Sequence, residues 1–200
     1  MKNKQLRVKL RKFRQFPYLQ LMKFTLLLYL IFIFSGASAQ KIIRTEKVTD
    51  HSTHILGNDF EGIVFHDNYF QNPKDSVERK IKRFTPTTAD IEATEQILHL
   101  QRKNKANKGD KDYIFRHLGG YRRQYIGYID STGDTMVYVN CFPKDEDWAT
   151  EKAKRGNKTL DVPRWYDSLF WVFDGGKSFW QAYISLRTKK IKSMSVNGLA

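Results

Sequence analysis

The residues of this chain that could do chemistry are a few histidines, a run of carboxylates and one cysteine. His51 and His54 lie three positions apart, and His66-Asp67 follows, so metal ligation is conceivable. A zinc site needs three or four ligands held in fixed geometry, whereas these histidines fall in a stretch with weak secondary-structure signals. We therefore interpret them as solvated loop side chains and predict no metal site.

Three consecutive carboxylates, Asp145 to Asp147, precede Trp148 and are the local group most suggestive of glycoside hydrolysis. That reaction needs two carboxyl groups separated across the substrate, and three adjacent loop residues point in different directions. Cys141 lies in the apolar pattern MVYVNCF, which is typical of a small buried side chain and not of an activated thiolate. Motifs of serine hydrolases, zinc proteases and nucleotide-binding loops are absent, so we predict no catalytic residue and no cofactor.

Aromatic residues are the strongest candidates for binding. They make up 14% of the chain, and many fall in segments with a strand pattern. A sheet covered by one helix buries one face, so aromatic side chains on the other face are either covered by another segment or form a working surface. The sequence leaves both alternatives open. The predicted binding set combines five aromatic residues with two arginines as contacts for anions: Tyr125, Trp148, Trp165, Trp171, Tyr183, Arg122 and Arg123.

The strongest local structural signal is Asp174-Gly175-Gly176, which lies between two apolar runs. Asp-Gly favours a type I′ hairpin turn because glycine adopts positive φ without steric cost. We predict a hairpin over residues 168–186, with an alternating second arm. The first arm, Phe170 to Phe173, is apolar on both faces, which is typical of a strand inside a sheet.

An amphipathic helix is predicted to begin at Thr87, because Thr87 and Asp90 have the spacing of a capping box. It should end within residues 104–109, with Glu95 and His99 on its polar side. Residues 143–167 form a polar excursion that is longer than an ordinary hairpin loop. Period-two alternation predicts further strands at residues 121–129, 135–142 and 191–196.

The first 39 residues have the three parts of a secretory signal peptide. Eight Lys or Arg residues and no acid precede the apolar run Phe24 to Phe34, and Ala37-Ser38-Ala39 follows. Because this run is shorter than the roughly 20 residues that span a bilayer, we expect cleavage before Gln40 and no transmembrane segment afterwards. The mature chain would carry 27 basic and 21 acidic residues and one cysteine. We expect no nucleic-acid partner and no internal disulfide.

Together these elements predict an α+β fold, with one N-terminal amphipathic helix packed on a curved antiparallel sheet of four to five strands. This order of elements is that of a cystatin-like or NTF2-like arrangement. The predicted α+β domain spans residues 84–200, and residues 40–83 are interpreted as a partly ordered N-terminal extension.

Four short motifs stand out within residues 84–200: TPT-x-x-DI from Thr85, RQYIGYID-x-x-GD-x-x-x-YVNCF from Arg123, W-x-x-DGG-x-x-FW from Trp171, and a terminal VNGLA. Together they resemble a set of small exported proteins of unknown function from Bacteroidetes-type bacteria. The resemblance implies an envelope or extracellular location. It carries no activity and no functional residues.

We expect an exported, non-catalytic protein, periplasmic or extracellular, that binds a protein, glycan or other envelope component through the open sheet face and the long loop. The alternative is an NTF2-like small-ligand carrier or enzyme with a pocket between helix and sheet. That alternative needs polar or titratable side chains in the pocket, and the predicted strands supply few beyond Gln124 and Tyr128.

Overall fold

The computed structural model describes residues 40–69 and 80–198, so the predicted signal peptide lies outside the described residues. The strands are β1 (Ile42–Thr49), β2 (Ser52–Gly57), β3 (Glu61–Phe65), β4 (Arg83–Phe84), β5 (Tyr121–Ile129), β6 (Thr135–Pro143), β7 (Lys152–Arg155), β8 (Lys158–Pro163), β9 (Trp180–Ser185) and β10 (Lys190–Val196). The α-helices are α1 (Thr88–Leu100), α2 (Asp110–Arg116), α3 (Asp147–Thr150) and α4 (Arg164–Asp167). None of the described helices is long and apolar enough to cross a bilayer.

Eight strands form one mixed sheet in the order β1-β2-β3-β5-β6-β9-β10, with β4 paired to one end of β5. β3 and β5 are parallel, with Val64 opposite Tyr125, whereas β5, β6, β9 and β10 are successive antiparallel neighbours. Parallel neighbours need a long crossover connection, and the chain between β3 and β5 contains α1 and α2. β7 and β8 form a separate two-stranded sheet.

The predicted fold class was wrong. The described residues are mainly strand, with short helices, and the sheet is mixed and larger than predicted. Residues 42–65, which we had treated as an extension, contribute β1, β2 and β3 to that sheet. Because β3 pairs in parallel with β5, the fold is neither a simple antiparallel meander under one helix nor the cystatin-like arrangement.

The prediction of a capped helix is confirmed by α1. The backbone N–H of Asp90 donates to Thr87 Oγ1 at 3.2 Å, and the Asp90 carboxylate accepts from the Thr87 N–H at 2.9 Å. The sheet-facing side of α1 includes Leu98, but it also includes Glu95, which is fully buried. The assignment of Glu95 to the polar side was therefore wrong, because its carboxylate pairs with Arg123 of β5.

Apolar side chains pack on both faces of the sheet. Between α1 and the sheet, Ile91 and Leu98 of α1 pack with Tyr125, Val139 and Trp180 of the strands. On the opposite face, Ile63, Phe65 and Phe142 of the strands pack with Trp165 of α4 and with Phe170. The alternation of β6 sends Val139 and Phe142 to different faces, as expected for a strand buried on both sides. The excursion after β6 therefore covers part of the face that α1 leaves open.

Candidate functional site

The segment of residues 168–179 does not form the first arm of a hairpin. Residues 168–173 are not in a strand, and β9 pairs with β6 and β10 instead. The glycine argument was correct, since Gly175 and Gly176 have φ of 88° and 54°. However, the Gly176 N–H donates to the Gly198 carbonyl. The turn therefore connects an irregular segment to β9.

Gln124, at the centre of β5, holds this irregular segment against the sheet. Its side-chain amide donates to the carbonyls of Trp165 and Ser168 at 2.9 and 2.8 Å, and its Oε1 accepts from the Phe170 N–H at 3.0 Å. Gln124 is buried. One side chain thus satisfies three backbone groups, one in α4 and two in the irregular segment, where no strand pairing satisfies them.

Asn140 and Asn197 extend this line of amide contacts across the sheet. Asn140, on β6, donates to the Phe170 carbonyl at 2.8 Å and to Gln124 Oε1 at 3.1 Å. Asn197, which follows β10, donates to the carbonyls of Val172 and Asp174. The backbone of residues 168–174 is therefore bound to the sheet at several points.

The anchored segment presents two aromatic side chains to solvent. Phe170 is buried, whereas Trp171 is 56% exposed and Phe173 is 89% exposed. We call Trp171 and Phe173 the aromatic tip. Burial of a phenyl or indole group is normally favourable, so two such groups held in water on a fixed backbone mark a candidate interaction site.

Four of the predicted binding residues have side chains that reach solvent at least in part. Trp171 belongs to the aromatic tip. Tyr183 is 37% exposed on β9, beside Tyr138, with ring centroids 5.0 Å apart. Trp148 is partly buried and packs on Phe170 with ring centroids 4.2 Å apart. Trp148 therefore supports the anchored segment.

Arg122 is the fourth of these residues and is also partly buried. Its guanidinium carbon lies 5.1 Å from the centroid of the Trp165 ring, and its Nε lies 3.5 Å from Glu61 Oε2. The side chain is therefore engaged within the fold and is not presented as an open anion contact.

Tyr125, Trp165 and Arg123 are buried, which excludes them from an exposed binding surface. Trp165 is 2% exposed and packs against Phe142 with ring centroids 5.9 Å apart. Trp165 was predicted to be a binding residue of the long excursion, but α4 turns its indole into the core. The predicted binding set is therefore not brought together in one place.

Arg123 and Tyr125 meet Glu95 in the core between α1 and β5. Arg123 Nε lies 2.9 Å from Glu95 Oε1, and the Tyr125 hydroxyl donates to the same oxygen at 2.8 Å. Burial raises the pKa of Glu95, although Arg123 opposes that effect. The sequence did contain a signal, because Glu95 lies four residues after Ile91 and three before Leu98, which places it on the apolar face.

The histidines predicted to be solvated loop side chains lie in paired environments in and beside β2. In the described structure their partners are Glu61 for His54, Thr53 for His66, and Asp50 and Asp167 for His51. The interpretation as solvated loop residues was therefore wrong. Within residues 40–69 and 80–198, no group of three or more His, Cys, Asp or Glu side chains could hold a metal ion.

Cys141 is buried, as predicted. Burial raises the pKa of its thiol, although Arg123 opposes that effect. The thiolate is the nucleophilic form of cysteine, so this environment disfavours reaction at the sulfur.

Comparisons with protein-family models, curated proteins and solved structures gave no match to this chain. The aromatic tip is therefore identified as the candidate site by its exposure and its anchored backbone alone.

Proposed function

We propose that this chain is an exported, non-catalytic binding protein of the bacterial envelope that engages a protein partner through the aromatic tip. The observation that carries the proposal is the 89% exposure of Phe173 on a segment whose backbone is hydrogen-bonded to the sheet. The basic and apolar composition of residues 1–39 supports export.

The chemistry of the tip favours a protein partner over a glycan. Aromatic anchors that enter a pocket of the partner supply much of the affinity of protein interfaces. Phe173 has no hydrogen-bonding side-chain atom, so it gains more in an apolar pocket than on a hydroxyl-rich sugar surface. Because the backbone is already fixed, binding orders few additional groups.

The geometry does not favour a carrier with a pocket between α1 and the sheet. Ile91, Leu98, Tyr125 and Val139 pack there in one continuous core. The polar groups at that interface, Glu95 among them, are engaged with each other.

Photo-crosslinking from the aromatic tip, in cells that produce the protein, tests the proposal. A benzophenone amino acid replaces Phe173, and the matched control places it at Leu100, which is 54% exposed. We expect a discrete adduct from position 173 that is absent from position 100 and is lost when Trp171→Ser is added. Mass spectrometry of the tryptic peptides from the adduct identifies a protein partner by the peptides that do not come from this chain.

Two outcomes would contradict the proposal: an adduct that only a glycosidase removes, or the same adducts from both positions. The Trp171→Ser and Phe173→Ser substitutions should each change the free energy of unfolding by less than about 0.5 kcal/mol, because they alter exposed side chains. Measuring the stability of each variant therefore shows whether crosslinking is lost because the variant unfolds or because the contact with the partner is removed.

Export has its own test, since the proposed cleavage site is specific. Mass spectrometry of the protein recovered outside the cytoplasm should give a chain that begins at Gln40. A chain that retains residues 1–39 would contradict cleavage. Binding through the aromatic tip would still be tested by the crosslinking experiment.

A further inference from the structure

A cleft of about 520 Å³ lies at one end of the sheet. β5 and β9 both begin near this end. Neither residue of the aromatic tip is among its lining residues. Its lining includes Arg102, Tyr113, Arg116, His117, Tyr121 and Lys177, together with one carboxylate, that of Asp59.

A stack centred on Tyr113 positions two nitrogen-bearing side chains of the cleft. The Tyr113 and His117 rings stack with centroids 4.1 Å apart, and Lys177 Nζ lies 4.0 Å from the Tyr113 centroid. His117 Nδ1 lies 2.7 Å from the Tyr113 carbonyl oxygen and donates to it, so Nε2 is the nitrogen left for a ligand. The Tyr121 hydroxyl donates to the Lys177 carbonyl at 2.9 Å, which fixes the lysine backbone.

Carboxylates orient the two arginines of the cleft without using all their donors. Arg116 Nε lies 3.0 Å from Asp112 Oδ2, and in the described structure its two terminal nitrogens have no partner. Arg102 Nε donates to the Phe115 carbonyl at 3.2 Å, and its Nη2 lies 3.7 Å from Asp59. Each guanidinium is therefore held in place while N–H donors remain for a ligand.

Lys177 supplies the excess positive charge of the cleft. No carboxylate among residues 40–69 and 80–198 lies within 4.0 Å of its ammonium group. The sequence after Arg102 is also basic, with Lys103, Lys105 and Lys108, although these three residues do not line the cleft. Such clustering raises the local concentration of anions.

We propose that this cleft binds the phosphate group of a small phosphate ester. A phosphate monoester carries a charge of about −1.5 to −2 at pH 7 and has three acceptor oxygens, which match Lys177 and the free guanidinium donors of Arg116 and Arg102. A carboxylate offers one charge and two oxygens, and therefore satisfies fewer of these donors. The cleft is larger than a phosphate ion, so it has room for the organic part of the ester.

Isothermal titration calorimetry on the folded mature chain tests the site, with inorganic phosphate and glucose 6-phosphate as probes and glucose and glucuronate as comparators. We expect saturable binding of glucose 6-phosphate that weakens as sodium chloride is added, weaker binding of glucuronate, and no binding of glucose. Lys177→Gln and Arg116→Gln should each raise the Kd about tenfold or more, because each removes a charge-assisted contact.

The matched control is Lys154→Gln, which removes an exposed charge on β7, a strand that lines no part of this cleft, and should leave the Kd unchanged. An equal loss of phosphate affinity in Lys154→Gln and Lys177→Gln would show that binding depends on the net charge of the protein and not on this cleft, which would overturn the proposal. Absence of saturable binding by both phosphate probes, or tighter binding of glucuronate, also overturns it. Phe173→Ser should leave phosphate binding intact, so this result and the crosslinking result are independent.

Discussion

The Glu95 carboxylate and the Arg123 guanidinium have no exposed side-chain surface, and Arg123 Nε lies 2.9 Å from Glu95 Oε1. Two charges taken out of water stabilise a fold little when they are paired, but either one alone is strongly destabilising. This asymmetry makes the pair a sensitive test of the packing of α1 on β5.

We expect Glu95→Leu alone to lower the free energy of unfolding by about 3–5 kcal/mol, since it leaves Arg123 buried without a counter-ion. The double variant Glu95→Leu/Arg123→Met should recover much of that loss. Urea denaturation of both variants measures the difference. If the double variant instead loses the sum of the stabilities lost in the two single variants, the burial of Arg123 does not require Glu95 as a counter-ion.

His99, in the last turn of α1, should make stability depend on pH. Burial lowers its pKa to about 4, although Asp59, 3.3 Å away, opposes the shift. The unfolded chain, with a histidine pKa near 6.5, binds a proton that the folded chain does not bind, so stability falls as pH falls from about 6.5 to about 4.

The loss over that pH range should reach up to about 3 kcal/mol. Thermal unfolding between pH 4 and pH 7 should therefore show a steeper pH dependence for the wild type than for His99→Gln. His117→Gln, an exposed histidine outside the core, is the control and should keep the wild-type slope. Identical slopes for wild type and His99→Gln would contradict the lowered pKa.

At the scale of elements, the irregular segment of residues 168–174 stands out because side chains, and not strand pairing, hold it. Gln124 and Asn140 are buried and bind its backbone from two adjacent strands. Two of its own side chains, Leu169 and Phe170, pack into the core. The exposure of Trp171 and Phe173 follows from this anchoring, because the buried residues before them, Leu169 and Phe170, determine which side of the segment faces the sheet.

Gln124→Leu should therefore release the segment. It leaves the carbonyls of Trp165 and Ser168 and the N–H of Phe170 without their partner, at an expected cost of about 2–4 kcal/mol in the free energy of unfolding. Hydrogen exchange at the Phe170 amide should accelerate by more than global unfolding explains. Gln101→Leu is the comparison, because Gln101 follows α1 and its side chain accepts from Asn104, away from residues 168–174, and it should leave the Phe170 amide protected.

At the scale of the whole molecule, the parallel pairing of β3 with β5 joins residues far apart in sequence. β3 pairs with residues 122–126 of β5, and β2 and β1 extend the sheet beyond β3. Without these three strands, that part of β5 would be an open edge of the sheet, although its side chains are largely buried. Open apolar edges promote association between chains.

A fragment of residues 84–200 should therefore fail to fold as a monomer, whereas residues 40–200 should unfold cooperatively. Size-exclusion chromatography and urea denaturation of the two chains measure this difference. A monomeric, cooperative fragment would show that β1 to β3 are dispensable.

The local elements were predictable from the sequence because their signals lie within a few residues. The Thr87–Asp90 cap, the period-two alternation of β5 and β6, and the positive φ at Gly175 and Gly176 all depend on neighbouring residues. The burial of Cys141 followed from the apolar residues around it. The aromatic composition predicted a binding surface, which stays a prediction, and the sequence did not indicate Phe173 as part of it.

The partners of these elements were decided only by the tertiary structure. Period two predicts a strand, but the same alternation suits β3 as a hairpin arm or as a parallel neighbour of β5. Phe170 to Phe173 had the composition of a strand, yet the amides of Gln124, Asn140 and Asn197 bind that backbone instead. Glu95, Arg123 and Tyr125 became a core cluster because they face one another across α1 and β5. Such outcomes depend on contacts between residues 25 or more positions apart. A pattern within a few neighbouring residues carries no information on the free energy of those contacts.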